Sequence, residues 1–227
     1  MIDRRIDVKM ERTQQRALVT GMISLRSAGL FAGILGTMGF VVLTVQTNAL
    51  TFWVGVVAVF DYVVLYGYTK RRSVHGTLVG GIAGAAAITA GYTAVTNQLD
   101  YTAIILFFIM FVWQLPHFYA IALYRRADYR KANIPVLSVV KGTAFTQRTI
   151  MACIPLFAVV TMLLTAYGQA SVSYLVVMLT ISLWWFWIGL SRLKSTTPTI
   201  WGKSVFGSSL VVLLLFCLLI SVDIYLP

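Results

Sequence analysis

All 18 lysines and arginines of this 227-residue chain fall in four polar segments, and long apolar runs separate those segments. That arrangement excludes a water-soluble fold. A bilayer-crossing helix needs about 20 predominantly apolar residues. Runs that meet this requirement lie at about 27–45, 49–68, 77–95, 101–124, 149–167, 172–190 and 205–226. Two of the gaps between charged segments are too long for one helix. Gln46-Thr47-Asn48 divides the first and Gly168-Gln169-Ala170-Ser171 the second. Composition agrees: 59% of residues are hydrophobic, and the mean hydropathy is +0.85. The chain therefore reads as an all-α polytopic membrane protein, one transmembrane helical domain over residues 1–227.

Seven crossings put alternate loops on opposite sides. One side collects the N-terminal segment, Lys70-Arg71-Arg72, residues 125–148 and residues 192–203, and with them every base. The loops near 46–48, 96–100 and 168–171 carry none. Cytoplasmic loops hold the excess of Lys and Arg, so the N-terminus is expected in the cytoplasm and the C-terminus outside. The formal charge of +11 then reflects topology and an anionic lipid surface, not nucleic acid. Cys153 and Cys217 lie inside apolar runs and read as packing residues.

The acids are few, and most share the basic side. Read as a helix, residues 3–16 place Asp3, Asp7 and Glu11 four apart on one face, among Arg4, Arg5, Lys9, Arg12 and Arg16. Such a row suits Mg²⁺, which takes one or two carboxylates and completes its octahedron with substrate phosphates. The surrounding bases suit those phosphates. A plain charged flank of a membrane helix is the competing reading. In the 125–148 loop Asp128 is the one acid among six bases. It reads either as a local salt bridge or as a second carboxylate site, with Arg125, Arg126 and Lys131 as phosphate donors.

Three intramembrane features stand out. Asp61 lies nine residues before Lys70, about 13 Å deep by helical rise. A charged Asp at mid-membrane costs about 2.5–3.5 kcal/mol on insertion scales, so Asp61 is expected to be protonated or hydrogen-bonded, with Tyr62, Tyr66 and Tyr68 as candidate partners. Trp113-Gln114-Leu115-Pro116-His117 puts a helix-bending proline beside two polar side chains. Three roles stay open for His117: haem ligand, base, or orienting group. Gly80, Gly81 and Gly84 permit close helix contact or ligand approach.

The chain resembles the protohaem IX farnesyltransferases (haem O synthases), a branch of the UbiA-type intramembrane prenyltransferases. The matching stretches are Ile2-Asp3-Arg4…Ile6-Asp7…Met10-Glu11-Arg12-Thr13…Arg16…Gly21 and Lys70-Arg71-Arg72-Ser73-Val74…Gly76-Thr77-Leu78-Val79-Gly80. They continue with Gly84-Ala85…Gly91-Tyr92-Thr93-Ala94-Val95, with Trp113 to His117, and with Asp128-Tyr129…Ala132-Asn133-Ile134-Pro135-Val136-Leu137. The resemblance implies a nine-helix bundle in which an N-x3-D-x3-D motif and a second acidic motif hold Mg²⁺ and farnesyl diphosphate. Asp3 and Asp7 match the first motif and Asp128 the second, so these three are the implied metal ligands. With His117 they form the implied catalytic set. Arg12, Arg16, Lys70, Arg71, Arg72, Trp113, Gln114, Arg125, Arg126 and Lys131 are the implied substrate-binding residues. Haem b is the implied acceptor and haem O the product, in a bacterial plasma membrane, with haem-pathway or oxidase-assembly proteins as membrane partners.

The chain departs from the family pattern twice. A Pro-Pro pair is replaced by Ala87-Ile88, which predicts a straighter third helix. The family's first two helices are not represented, and the first motif's asparagine falls just upstream of Met1. A longer upstream reading frame is therefore expected, and little activity from the 227 residues alone. Two other readings compete: prenylation of a quinone-type or other lipid acceptor, and a haem-binding protein without catalysis.

The split of charges generates a topology test. In a chain lacking Cys153 and Cys217, single cysteines at Asn97 and Gly202 should react with an impermeant thiol reagent from opposite sides of the membrane. Equal reactivity from one side overturns the arrangement.

Overall fold

The computed structural model describes residues 4–194 and 196–225, with backbone alone at Arg5. Those residues are helical throughout, joined by short turns. Two short helices, α1 (Arg4–Asp7) and α2 (Ala17–Thr20), precede the spans. Seven helices are long and apolar enough to cross a membrane. They are α3 (Leu25–Gln46), a rod from Ala49 to Arg72, α6 (Gly76–Thr96), α7 (Tyr101–Tyr124), α10 (Thr143–Ala166), α11 (Val172–Arg192) and α12 (Pro198–Val222). The rod comprises α4 (Ala49–Phe60), a π-helical turn at Asp61–Tyr66, and α5 (Gly67–Arg72). Between α7 and α10 lie two short helices, α8 (Arg126–Lys131) and α9 (Leu137–Val140).

Three spans begin earlier than hydropathy indicates. α3 takes in Arg26, α10 takes in Arg148 and α12 takes in Lys203. A long basic side chain near a helix end can keep its head in the interface while its stem covers apolar surface. The backbone therefore stays helical past the charge. The N-terminal segment departs from the sequence reading in the other direction. It is a single turn at Arg4–Asp7, then successive turns, then α2. Thr13 explains part of this, because its hydroxyl donates to the carbonyl oxygens of Asp7 and Met10 and so competes with a regular ladder. Asp7 and Glu11 consequently share no helix face, and Asp3 lies outside the described residues.

The polar tripeptides that divide the apolar runs are helix caps. Asn48 accepts from Thr51 N–H through Oδ1 and donates through Nδ2 to Thr93 O at 2.7 Å. Thr51 and Thr93 join hydroxyls at 2.9 Å. Asn97 closes α6 in the left-handed region at φ 51°. Asp100 caps α7 through the Ala103 N–H and receives the Tyr92 hydroxyl at 2.7 Å. Those two donors, Ala103 first, hold the Asp100 carboxyl below the usual carboxylate range. Ser171 caps α11 and is tied to Asp223 at the far end of α12. Each cap satisfies amides that lipid cannot.

α7 is the axis of the bundle. It packs against α6 on one side and against α10 and α12 on the other, and α11 closes the group behind them. The core contains Trp185, Trp201, Tyr174, Phe157 and Phe216, all essentially inaccessible. Indole N–H groups spend themselves on carbonyls across helix contacts: Trp185 on Val205 and Trp201 on Gly189. Gly202 sits against Ala120 O, where a Cβ would come within 3.0 Å. Exposed Lys203 is therefore the better position for a topology label at that end. α6 continues through Ala87-Ile88 without interruption. α3 packs on α4 and has no buried residue.

Asn48 serves two helices at once. Asn48→Ala removes a cap worth about 1 kcal/mol and the contact to Thr93 besides. A fall of several degrees in the melting temperature of the detergent-solubilised chain is expected. An unchanged melting temperature would show that lipid-side packing alone sets this end.

Candidate functional site

At the basic end of the bundle a cavity of about 380 Å³ opens between the N-terminal segment, the lower rod, α6 and α7. Its polar wall consists of Asp7, Arg12, Thr13 and Arg16 from the N-terminal segment, Tyr62, Tyr66 and Lys70 from the rod, and Tyr129 from α8. Its apolar wall is Phe118, Ile121 and Ala122 of α7 with Ile134, Pro135 and Val136 beyond α8. Gly76, Thr77 and Gly80 form the α6 side. The glycine at 80 is needed there, since a Cβ would meet the Tyr66 ring at 2.8 Å.

A small apolar cluster holds the two acidic stretches together. Met10, Ala132 and Ile134 are buried against one another, with Ile6, Tyr129 and Val136 packed around them. Neither stretch is a span, so this contact docks the N-terminal segment on the α8 loop. Asn133, at φ 55°, supplies the left-handed turn that directs Ile134 back into the cluster. Within this frame Arg16 pairs with Asp7 at 3.1 Å and Arg125 faces Asp128 at 3.9 Å. The Asp7 and Asp128 side chains are largely sheltered, while their arginines remain about half exposed. Burial, and the nearby phenol of Tyr66, hold the Tyr129 hydroxyl above the usual tyrosine range. Arg12 and Lys70 act in the opposite sense on the same ring. Tyr129 is thus a neutral hydroxyl set among cations.

Sequence-predicted residues divide into three groups. Asp7, Arg12, Arg16 and Lys70 line the cavity, and Asp128 is buried one residue from Tyr129, which does. Arg71, Arg72, Arg125, Arg126 and Lys131 do not line it; Arg72 stacks on Tyr68 at 4.3 Å. Trp113, Gln114 and His117 lie elsewhere, inside the helix contacts of α7. Gln114 donates to Gly81 O and Met110 O and fills the space Gly84 leaves. Trp113 donates to Ser209 O and stacks on His117 at 4.7 Å. His117 Nδ1 lies 2.8 Å from Ser209 Oγ. The Ser209 hydroxyl donates to Phe206 O, so His117 Nδ1 is the donor and the lone pair resides on Nε2.

Sequence reasoning missed Thr13, Tyr62, Tyr66, Ser73 and Tyr129 as cavity residues. A signal existed for one: Tyr66 and Lys70 stand four apart on one helix face, and Lys70 Nζ lies 5.6 Å from the Tyr66 ring centre. Asp61 was expected to meet a neighbouring tyrosine. It accepts instead from the backbone N–H of Ala83 on α6 at 3.1 Å, and its other carboxyl oxygen has no partner among the described residues.

Chemically, the cavity offers cations and hydroxyls for an anionic head at the membrane surface and an apolar, aromatic wall for a hydrocarbon. Hard oxygen donors from two carboxylates lie in the same region. No group of three or more His, Cys, Asp or Glu suited to a metal occurs among the described residues. Two carboxylates suit a cation that takes the rest of its shell from a ligand and water.

Comparisons with known proteins agree with this chemistry. Residues 1–222 match the UbiA prenyltransferase family. The chain is 43% identical over its whole length to the protoheme IX farnesyltransferase of Yersinia enterocolitica, spanning 77% of that protein. Identity is 44%, at the same coverage, to the protoheme IX farnesyltransferases of Pectobacterium carotovorum and Escherichia coli. A solved structure from work on digeranylgeranylglyceryl phosphate synthase in membranes superposes with a TM-score of 0.77 at 17% identity. It covers 98% of this chain and 77% of that one.

The apolar cluster beneath the cavity is a point of attack. Met10→Ala removes a buried side chain, a change worth about 2–5 kcal/mol in a rigid core. Here the strain falls on a docked segment. Roughly a tenfold rise in KM for the anionic substrate is expected, with little change in melting temperature. An unchanged KM would show that the segment is held without this contact.

Proposed function

The chain belongs to the UbiA prenyltransferase family, and on that premise we propose that it transfers a farnesyl group from farnesyl diphosphate to a vinyl group of haem b: the C–O bond to the diphosphate breaks, a C–C bond to the vinyl group forms, water adds to the other vinyl carbon to give the hydroxyl of haem O, and pyrophosphate leaves with the proton. The observation that carries this reading is the cavity at the basic end, which sets Asp7, Arg12, Arg16 and Lys70 against the apolar wall of Phe118 and Ile121. Similarity to the protoheme IX farnesyltransferases over the full 227 residues supports the acceptor.

Arg12, Arg16 and Lys70 bind the diphosphate and neutralise charge as it develops on the leaving group. Tyr66 and Tyr129 donate hydroxyls to the same head. Asp7 and Asp128, joined by Asp3 outside the described residues, would hold Mg²⁺, which supplies Lewis-acid neutralisation of the leaving pyrophosphate. Phe118, Tyr62 and the aliphatic wall exclude water and present ring faces to the allylic cation. Trp113, Gln114 and His117 hold α6, α7 and α12 together behind that wall. Arg71, Arg72, Arg125, Arg126 and Lys131 draw the anionic substrate to the membrane surface.

The protein is an integral membrane protein. We place its basic end in the cytoplasm of a bacterial cell, at the inner membrane, which lets a cytoplasmic diphosphate reach the cavity while its tail enters between helices.

Asp7→Asn and Asp128→Asn test the site. Each should lower haem O formation roughly a thousandfold, the effect of losing several kcal/mol of transition-state stabilisation. Membrane insertion and melting temperature should be preserved. Haem O measured by mass within a few-fold of wild type in both variants would reduce the two carboxylates to a charged flank. A wild-type product of different mass would instead replace haem b with another acceptor.

A further inference from the structure

The rod from Ala49 to Arg72 is not a uniform helix. Its residues 61–66 form a π turn, which accommodates one extra residue within an otherwise α-helical span. The consequence is rotational. Nineteen positions separate Thr51 from Lys70, which at 3.6 residues per turn is five turns and about 100° over. One residue absorbed in the π turn leaves eighteen, a whole number of turns. Both ends of the rod can then face α6. At the upper end Thr51 bonds Thr93 of α6. At the lower end Tyr66 packs on Gly80 of α6, and Lys70 lines the cavity beside Gly76 and Thr77.

A wide turn is intrinsically unfavourable and needs a tie. Asp61 opens the π turn, is 2% exposed, and bonds across to the Ala83 N–H of α6. That bond fixes the rod to α6 at the point where the ladder changes, one helical turn beyond Gly80 at the cavity wall. No function described above uses this carboxyl. We infer that Asp61 is a positioning residue: by pinning the π turn to α6 it sets the rotation of the lower rod and so aims Tyr66 and Lys70 at the head of the substrate. The inference rests on the cavity being a diphosphate site.

A rotational role makes a prediction that a role in stability alone does not. Asp61→Leu releases the tie, the turn relaxes to an α-helix, and Lys70 swings by about 100°. Deleting Val64 removes the extra residue, so an uninterrupted α-helix then places Lys70 correctly without a tie. The measurement is binding of inorganic pyrophosphate with Mg²⁺ to the detergent-solubilised chain by calorimetry. Asp61→Leu should bind about tenfold to a hundredfold more weakly, the loss of one or two charge-assisted contacts. Asp61→Asn keeps an acceptor and should bind within a few-fold of wild type. Asp61→Leu combined with the Val64 deletion should recover most of the lost affinity.

Wild-type affinity in Asp61→Leu overturns the inference. Failure of the deletion to restore binding overturns it as well, because two lesions in one helix would then merely add. Absence of pyrophosphate binding in the wild-type chain is a separate result, and it removes the diphosphate reading itself.

Discussion

Lipid offers no hydrogen-bond partner to a peptide group, and this constraint sets everything else in the structure. It forces each apolar run into a helix and each helix end to find its own donors and acceptors. The caps at Asn48, Asp100 and Ser171 answer that demand from within the chain. It also drives charge to the helix ends. With every Lys and Arg in four polar segments, positive charge gathers at the basic end of the bundle. The cavity lies there, where the polar N-terminal segment meets the ends of the rod, α6 and α7.

The site is therefore a composite of two materials. Its apolar wall comes from α7 and from the stretch after α8, and α7 is a deeply packed helix locked to α12 through Trp113, His117 and Ser209. Its polar wall comes from segments held by much less: a short N-terminal stretch docked through Met10 and Ile134, and the lower end of the rod. Under the proposed farnesyl transfer, rigid packing suits a surface that keeps water from the allylic cation. A lightly docked segment suits a head-group site that must admit a diphosphate and release pyrophosphate. The sheltered Asp7 and Asp128, with half-exposed arginines beside them, keep charge available at that edge.

Much of this was legible in the residues. Hydropathy and charge spacing located the seven spans and their common basic end, because both follow from transfer free energies of single side chains. The motif residues Asp7, Arg12, Arg16 and Lys70 were identified and do line the cavity. The early starts of α10 and α12 were not, because a hydropathy window stops at Arg148 and Lys203 whereas a helix does not. Residues 3–16 read as one helix, yet the Thr13 hydroxyl and the docking of Met10 turn the chain within them.

By itself, then, the sequence determined the class of fold and the segments in which charge gathers, since each is a sum of local preferences. The tertiary structure alone decided which side chains meet. Only packing shows that Trp113, Gln114 and His117 bond to neighbouring helices, or that Tyr66 and Tyr129 line the cavity. Only the backbone shows the π turn at Asp61, which rotates half a helix without changing its composition. Periodicity along a span fixes spacing but not absolute phase, and phase is set by the neighbours that a helix finds.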